Sequence, residues 1–350
     1  MYNIILAFIT AFLLTFRVIP AIIYIADKKK LYDEPDHRKS HSKVTPRLGG
    51  IGIFAGLLFS IILWTPFNSL GDLQYILSAF IIIFLIGAKD DIDPIVPIKK
   101  FSAQLLAALI LIFKANVIIT DFHGILGIHE LPFLWSIVFS LFVIIAIVNA
   151  FNLIDGVNGL AGSVALLTTL ILGFWFYKID RIELAIVAYS TAGSVIAFLK
   201  YNFSRATIFM GDTGSLLLGL ISAILSIKFL EINSTLVDSP DYIPSGTIFI
   251  ITIIILPIFD TIRIMILRII KGKSPFHPDK NHLHHLLLDL GLTHVQVTLV
   301  LMSINVLFIL IAYFFRRIDN NLLLLIIIGI LLVLTGLLNF LHKRKKKLTV

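Results

Sequence analysis

The residues best suited to chemistry stand in short polar segments between long apolar runs. In segment 209–215, Asp212 follows a glycine and lies just before the apolar run 216–230. The start of an apolar helix leaves backbone N–H groups unpaired and carries the positive end of the helix dipole, which suits a polyanion. An aspartate there supplies oxygen ligands of the kind that Mg²⁺ prefers. The alternative interpretation is that Asp212 or Thr213 only caps the helix.

Carboxylates and amides recur in two other polar segments. Asp90 and Asp91 follow an apolar run, and adjacent carboxylates need a divalent cation, a basic partner or a shared proton to offset their repulsion. Segment 149–162 holds more polar residues and glycines than a turn requires, so we interpret it as functional. Within it, Asn152 and Asp155 can hydrogen-bond a base or a ribose, and Asp155 can also stand near a metal ion.

A group of histidines follows in the basic segment 271–294. His282, His284 and His285 fall within four residues, which is dense for purely structural histidines. They either ligate a transition metal or hydrogen-bond phosphate oxygens, and the surrounding cations favour phosphate because they repel a metal. Asp260, inside the preceding apolar run, is a further buried-acid candidate.

Two further signals are a glycine pair and an aromatic residue. Basic side chains at 38–47 lead into Gly49 and Gly50, where glycine lets the backbone approach an anionic ligand closely. Ordinary positive charge on a membrane loop is the alternative. Phe209 is suited to stack on a nucleobase, although a lone aromatic at a membrane edge is also a common interface anchor.

The composition requires a bilayer around these segments. Of 350 residues, 58% are hydrophobic and 14% are charged, and the mean hydropathy is +0.99. No soluble domain of this size buries so much apolar surface. The absence of cysteine excludes disulfides, thiolate catalysis and cysteine-ligated metals. The net charge of +8 follows membrane topology, so we expect no nucleic-acid partner.

The apolar runs predict an all-α integral membrane protein with about eleven transmembrane helices. Residues 1–350 are predicted to form one polytopic membrane domain. Its active site is predicted to lie in cytoplasmic loops 27–48, 89–99, 152–158, 201–213 and 271–294. The predicted spans are 3–26, 49–66, 72–89, 99–119, 132–151, 159–177, 182–200, 214–232, 243–270, 295–315 and 321–341.

Positive charge orients this predicted bundle. With the tail 343–347 in the cytoplasm, that side carries 22 Lys and Arg residues and the other side carries four. The positive-inside rule then places the N-terminus outside and the C-terminus inside. All five polar segments precede even-numbered spans, so acids, positive helix ends and histidines converge at one surface. Such a site suits a magnesium-bound diphosphate, and phosphoryl transfer fits best because positioning and charge neutralisation provide most of its catalysis.

The chain resembles the polyprenyl-phosphate N-acetylhexosamine-1-phosphate transferase superfamily in four motifs and their order. The likeness extends from Arg38 to about Gly291. The histidine pattern, following Ser-Pro-Phe, is similar to that of the bacterial undecaprenyl-phosphate GlcNAc-1-phosphate transferases, since the muramyl-pentapeptide branch has an uninterrupted histidine run. The motifs are Asp-Asp at 90–91, Asn-x-x-Asp-Gly-x-x-Gly-Leu at 152–160, Gly-Asp-Thr-Gly-Ser at 211–215 and His-x-His-His at 282–285.

The resemblance implies roles for individual residues. Asp212 matches the family's Mg²⁺-binding aspartate, and Asp90 matches the residue proposed to deprotonate or orient the lipid phosphate. Relatives place a lysine seven residues after the aspartate pair, where this chain has Ile98, so Lys99 is chosen over Lys100 as the phosphate-binding lysine. The candidates are catalytic Asp90, Asp91 and Asp212; nucleotide- or substrate-binding Asn152, Asp155, Asn158, Phe209, His282, His284, His285 and Lys99; and metal-binding Asp212 and Asp155.

The implied reaction moves an N-acetylhexosamine-1-phosphate from a UDP-sugar to undecaprenyl phosphate, giving undecaprenyl-diphospho-sugar and UMP. It depends on Mg²⁺, with Mn²⁺ as the alternative, and initiates a cell-envelope glycan at the bacterial cytoplasmic membrane. UDP-N-acetylhexosamine, undecaprenyl phosphate and membrane lipid are the implied partners, and a homodimer is left open. Direct attack and a covalent aspartyl-phosphate both fit. The alternative is a secondary transporter of an anionic substrate, which would place charges near the midplane and show repeats.

Overall fold

The computed structural model describes residues 1–31, 45–274 and 281–348, and this part of the chain is helical. It contains thirteen α-helices, two short 3₁₀ turns and one isolated β-bridge between Asp121 and Glu130. The basic residues at 38–43 and the segment 275–280 lie outside the described residues. The helices are α1 Tyr2–Lys29, α2 Gly49–Trp64, α3 Leu73–Ile92, α4 Pro97–Lys114, α5 Phe133–Ile154, α6 Leu160–Lys178, α7 Ile182–Asn202, α8 Gly211–Ser234, α9 Gly246–Ile253, α10 Ile255–Ile270, α11 Leu283–Asp289, α12 His294–Phe314 and α13 Asn320–Leu348.

Ten of the predicted apolar ranges each coincide with one helix, and the range 243–270 coincides with the pair α9 and α10. Seven of the described helices are long and apolar enough to cross a membrane, and the bent pair makes eight. The protein is therefore a multi-pass membrane protein, because helices of this length and hydropathy bury their surface in hydrocarbon.

Helix α8 forms the centre of the bundle and packs on α2, α3, α5 and α6. Nearly nine-tenths of its apolar window is buried inside the protein, as expected for a helix that is apolar on all sides. Small residues allow close packing of its neighbours, since a Cβ on Gly87 of α3 would lie 2.6 Å from the Thr213 Cα atom. The packing brings the N-terminus of α8 against the end of α3.

The helix ends form two groups. At one end of the bundle, called the far end here, the Trp64 indole N–H donates to Thr10 Oγ1 at 3.0 Å and Lys228 lies 3.6 Å from Asp72. At the other, called the site end, the Met210 carbonyl accepts a 2.8 Å hydrogen bond from the backbone of α2. Further far-end contacts join Trp175 to Asp241, Ser245 to Arg316 and Asn320 to His123.

Helices α9 and α10 meet at a bend of 78°. Pro257 has no backbone N–H for the Ile253 carbonyl, which is the usual cause of a broken helix. The Asn305 side-chain amide of α12 donates instead to the carbonyls of Thr252 and Ile253, at 3.1 and 3.2 Å. Because unpaired carbonyls are costly away from water, this amide stabilises the break.

Candidate active site

The N-terminus of α8 is capped by Asp91, which lies beyond the apolar part of α3. Asp91 Oδ1 accepts the backbone N–H of Asp212 at 2.7 Å, and Oδ2 accepts that of Thr213 at 2.9 Å and the Thr213 hydroxyl. The expectation that these two N–H groups are open to a polyanion is therefore wrong, because a carboxylate of another helix already binds them. Neither Asp212 nor Thr213 is the cap.

This cap leaves Asp91 in an unusual state. Burial raises the pKa of Asp91 to about 6, although hydrogen bonds from Thr213 and Asp212 oppose the rise. The nearby Asp212 charge adds to it. Asp91 thus caps α8 while burial disfavours the charged form of its carboxyl group.

Lys100, near the start of α4, joins two of the candidate acids. Its ammonium lies 3.0 Å from Asp90 Oδ2 and also contacts Asp212 Oδ2. Burial would raise the pKa of Asp90, but the Ile95 N–H and Lys100 outweigh it and hold that pKa below its ordinary value. Lys99, the lysine chosen from the sequence, is exposed, and it is Lys100 that contacts the candidate acids.

Asn152 and Asp155 complete this group from the end of α5. The Asn152 amide donates to Asp212 Oδ1 at 3.1 Å and to Ser215 Oγ at 2.9 Å. Burial, followed by the charges of Asp212 and Asp91, raises the pKa of Asp155 well above its ordinary value. We call Asp90, Asp91, Asp155, Asp212 and Lys100 the acidic cluster.

The acidic cluster suits a hard cation that also binds phosphate. Lys100 contacts Asp90 and Asp212, and the charge of Asp212 acts on both Asp91 and Asp155. Carboxylate oxygens are hard donors of the kind that Mg²⁺ prefers. Among the described residues, no three acids or histidines are grouped so as to hold a metal ion alone. Mg²⁺ is commonly held by one or two carboxylates together with substrate phosphates, so Asp212 and Asp155 fit an ion that arrives with a diphosphate.

A second polar group lies at the start of α11. Asp260 of α10 accepts from Arg263 Nη2 at 2.9 Å and from the Leu283 N–H at 3.0 Å, and its Oδ2 lies 3.0 Å from His282 Nδ1. The His282 and His284 rings stack with centroids 5.5 Å apart. We call Asp260, Arg263, His282, His284 and His285 the histidine cluster.

His284 is buried in the histidine cluster and faces the loop after α5. Burial, with the neighbouring His285, lowers the pKa of His284 to about 3, so the ring is neutral at physiological pH. A Cβ on Gly156 would lie 2.9 Å from its Nε2 atom, so the ring rests directly on that glycine. Because Gly156 follows Asp155, the histidine cluster adjoins the acidic cluster.

The remaining candidates have backbone roles in this structure. Asn158 is 9% exposed, and its carbonyl accepts the Thr298 hydroxyl of α12 at 2.9 Å. Phe209 and Met210 accept the N–H groups of Gly49 and Gly50, at 2.9 and 2.8 Å. The glycine pair thus lies against the backbone of residues 209–210, and its predicted approach to an anionic ligand stays a prediction.

Sequence reasoning missed the capping role of Asp91, the lysine that joins Asp90 to Asp212, and the pairing of Asp260 with His282. The positive-charge and motif signals indicated all three neighbourhoods. The partners become visible only when α3, α4 and α10 are packed against α8 and α11.

The architecture and the two clusters define a multi-pass membrane protein with a polar site at one end of its bundle. The chain belongs to glycosyl transferase family 4, whose sequence profile matches residues 73–230. It is 35% identical over 315 residues to the "Probable undecaprenyl-phosphate N-acetylglucosaminyl 1-phosphate transferase" of Bacillus subtilis (strain 168), covering 88% of this chain and 84% of the relative.

Two other relatives are similar over most of the chain. The "Undecaprenyl-phosphate alpha-N-acetylglucosaminyl 1-phosphate transferase" of Yersinia pestis is 30% identical over 280 residues, 78% of this chain and 73% of the relative. The "Decaprenyl-phosphate N-acetylglucosaminephosphotransferase" of Mycobacterium leprae (strain TN) is 30% identical over 314 residues, 84% of this chain and 79% of the relative.

Proposed function

We propose that the protein transfers N-acetylglucosamine-1-phosphate from a UDP-sugar to undecaprenyl phosphate, releasing UMP and initiating a cell-envelope glycan. The relatives' names support the sugar phosphate and the lipid acceptor. The observation that carries the proposal is Lys100 held between Asp90 and Asp212 at the start of α8. An ammonium fixed between two acids is placed to meet a phosphate group that displaces one of them.

In the proposed reaction, an oxygen of the lipid phosphate forms a bond to the phosphorus that carries the sugar. The bond from that phosphorus to the bridging oxygen breaks, and UMP leaves with this oxygen. Asp90 stays ionised near neutral pH, which suits orientation of the lipid phosphate. Asn152 fixes Asp212, and Lys100 neutralises charge on the phosphates. Bound Mg²⁺, held by Asp212 and Asp155, would supply further charge neutralisation.

Exchange of labelled UMP into the UDP-sugar helps to distinguish direct attack from a route through a covalent aspartyl-phosphate. We favour direct attack, because Lys100 engages both Asp90 and Asp212. An Asp90→Asn variant that still exchanges labelled UMP into the UDP-sugar would argue against Asp90 as the nucleophile, and exchange that requires undecaprenyl phosphate supports direct attack. Loss of exchange together with a trapped phosphoenzyme in the wild type would instead establish an aspartyl-phosphate.

The decisive assay uses detergent-purified protein, undecaprenyl phosphate, Mg²⁺ and a panel of UDP-sugars. We expect UMP release with UDP-N-acetylglucosamine, its loss on chelation by EDTA and its return with Mg²⁺ or Mn²⁺. Release of UMP with none of the sugars would contradict the proposed function. Release with another N-acetylhexosamine would keep the reaction and change the donor.

We further propose eleven spans, with the N-terminus outside, the C-terminus inside and the site facing the cytoplasm of the bacterial inner membrane. The positive-inside distribution supports this orientation. The natural absence of cysteine allows a clean test with a membrane-impermeant maleimide. We expect Ser69→Cys to react in intact cells and Arg205→Cys to react only after permeabilisation. Labelling of both in intact cells would contradict this topology.

A further inference from the structure

Asp260 lies inside a membrane helix and makes its hydrogen bonds within α10 and with the start of α11. It is 3% exposed, and a carboxylate so placed is costly unless it is paired. Its two oxygens contact Arg263, His282 and the backbone of Leu283. The cost of burying this acid is therefore offset by Arg263 of the same helix and by the chain that leads into α11.

Arg263 extends the same attachment. It lies one turn after Asp260 on α10, is 9% exposed, and also donates through Nη2 to the Asn281 carbonyl. Three consecutive residues, 281–283, are thus bound by two residues of α10. Such a set of contacts fixes both the position and the rotation of the chain at the start of the histidine motif.

The three histidines of the motif are consequently not equivalent. The Nδ1 atom of His282 is engaged by Asp260, and the ring is buried. The His284 ring is also buried, between His282 and Gly156. His285 is the least buried of the three, with its ring 4.3 Å from that of His284.

We propose that Asp260 and Arg263 are positioning residues that hold His282 as the anchor of the motif, so that His285 is the imidazole presented to the substrate phosphates. This inference rests on the proposed function for the identity of the substrate. The attachment of the histidine motif to α10 does not depend on the proposed function. A carboxylate that hydrogen-bonds one ring nitrogen of an imidazole fixes the orientation and the tautomer of that ring, and Asp260 does so for His282.

Chemical footprinting tests the attachment without using activity. Diethyl pyrocarbonate acylates accessible neutral imidazoles, and fragment mass spectrometry separates the three sites. In the wild type, we expect His285 to react faster than His282 and His284. In Asp260→Asn, the loss of a charged hydrogen bond should raise the modification rate of His282 roughly tenfold. Unchanged His282 reactivity in this variant, or equal reactivity of His282 and His285 in the wild type, would overturn the proposal.

A matched control lies at the far end. Asp121 Oδ1 is 3.9 Å from His123 Nδ1, so Asp121→Asn removes another acid beside a histidine. It should leave the reactivity of His282, His284 and His285 and the UMP release unchanged. If Asp260→Asn fails to fold, Arg263→Gln keeps the Asp260 carboxylate beside His282 and removes the ion pair with Asp260 and the hydrogen bond to the Asn281 carbonyl. We then expect a smaller rise at His282, and no rise would contradict the proposal.

Kinetics test whether Asp260 acts through His282. We expect Asp260→Asn to raise the KM for the UDP-sugar roughly tenfold, because a phosphate contact is displaced. A smaller active fraction cannot produce this change in KM. The double variant with His282→Gln should lose no more than His282→Gln alone, whereas additive losses would show independent roles. Absence of UMP release in the wild type would refute the proposed function, while the footprint would still decide the attachment.

Discussion

The acidic cluster and the histidine cluster lie at the same end of the bundle and differ in charge balance and exposure. The side chains of Lys100, Asp90 and Asp212 are 22, 17 and 25% exposed, and Lys100 is paired with two carboxylates. Those of Asp260, Arg263 and His282 are 4, 8 and 7% exposed, and opposite charges are matched. A partly open group with excess charge suits a ligand, and a closed, balanced group suits support.

The largest expected effect on activity follows from replacing Asp212 in the acidic cluster. Asp212→Ala should lower kcat for UMP release by roughly 10³-fold, as for other preorganised electrostatic groups. Asp241→Asn, whose side chain pairs with Lys178 at the far end, is the control and should retain wild-type activity. Near-normal activity of Asp212→Ala would break the comparison, because the cluster would then not meet the substrate.

The two adjacent lysines provide the next test. Lys100→Met should lower kcat/KM by roughly 10²-fold, because it removes the ammonium between Asp90 and Asp212. Lys99→Met should cause the smaller loss, since Lys99 is exposed. The reverse order in a steady-state UMP assay would restore the assignment made from the sequence.

The pH dependence of the free energy of unfolding should distinguish Asp91 from the neighbouring acids. Folded Asp91 keeps its proton up to a pKa of about 6, above the ordinary value of 3.8. Between those values the folded state binds more protons at Asp91, so the Asp91 contribution to the free energy of unfolding falls as pH rises from about 4 to 6 and is constant above that. The lowered pKa of His284 contributes in the opposite direction, so the Asp91 contribution is read as a difference from a variant. The fall attributable to Asp91 is at most roughly 3 kcal/mol.

Thermal unfolding in detergent measures this dependence. As pH rises over that range, the Tm of the wild type should fall relative to the Tm of Asp91→Asn. Asp93→Asn removes an exposed acid paired with Lys89 and should keep the wild-type dependence. Parallel curves for Asp91→Asn and the wild type would show that the cap is not the titrating group.

The smallest expected effect concerns the contact between the two clusters. Gly156→Ala places a Cβ 2.9 Å from His284 Nε2 and should cost roughly 1–3 kcal/mol of stability through overpacking. Gly336→Ala in α13 meets no heavy atom within 4 Å and should be neutral or stabilising by roughly 1 kcal/mol. Equal Tm values for the two variants would show that His284 can move away from the loop.

The sequence predicts helix positions well and partners poorly. Apolar length alone located each predicted range on a helix or a bent pair, because hydrocarbon imposes that length. Motifs and charge identified Asp212, Asp260 and the histidines as separate candidate site residues. They did not reveal that Asp91 caps α8, since nothing local links residue 91 to residue 212. The choice between Lys99 and Lys100 likewise depends on the rotation of α4.

The 78° bend between α9 and α10 ties the site to a helix that contributes none of the candidate groups. The Thr252 and Ile253 carbonyls at the bend accept hydrogen bonds from Asn305, which lies later in the chain, in α12. During synthesis, the turn that directs Asp260 toward the histidines is therefore incomplete until residue 305 has entered the bilayer. A nascent chain ending before α12 would retain every acid and imidazole of both clusters and still lack the means to hold them in register.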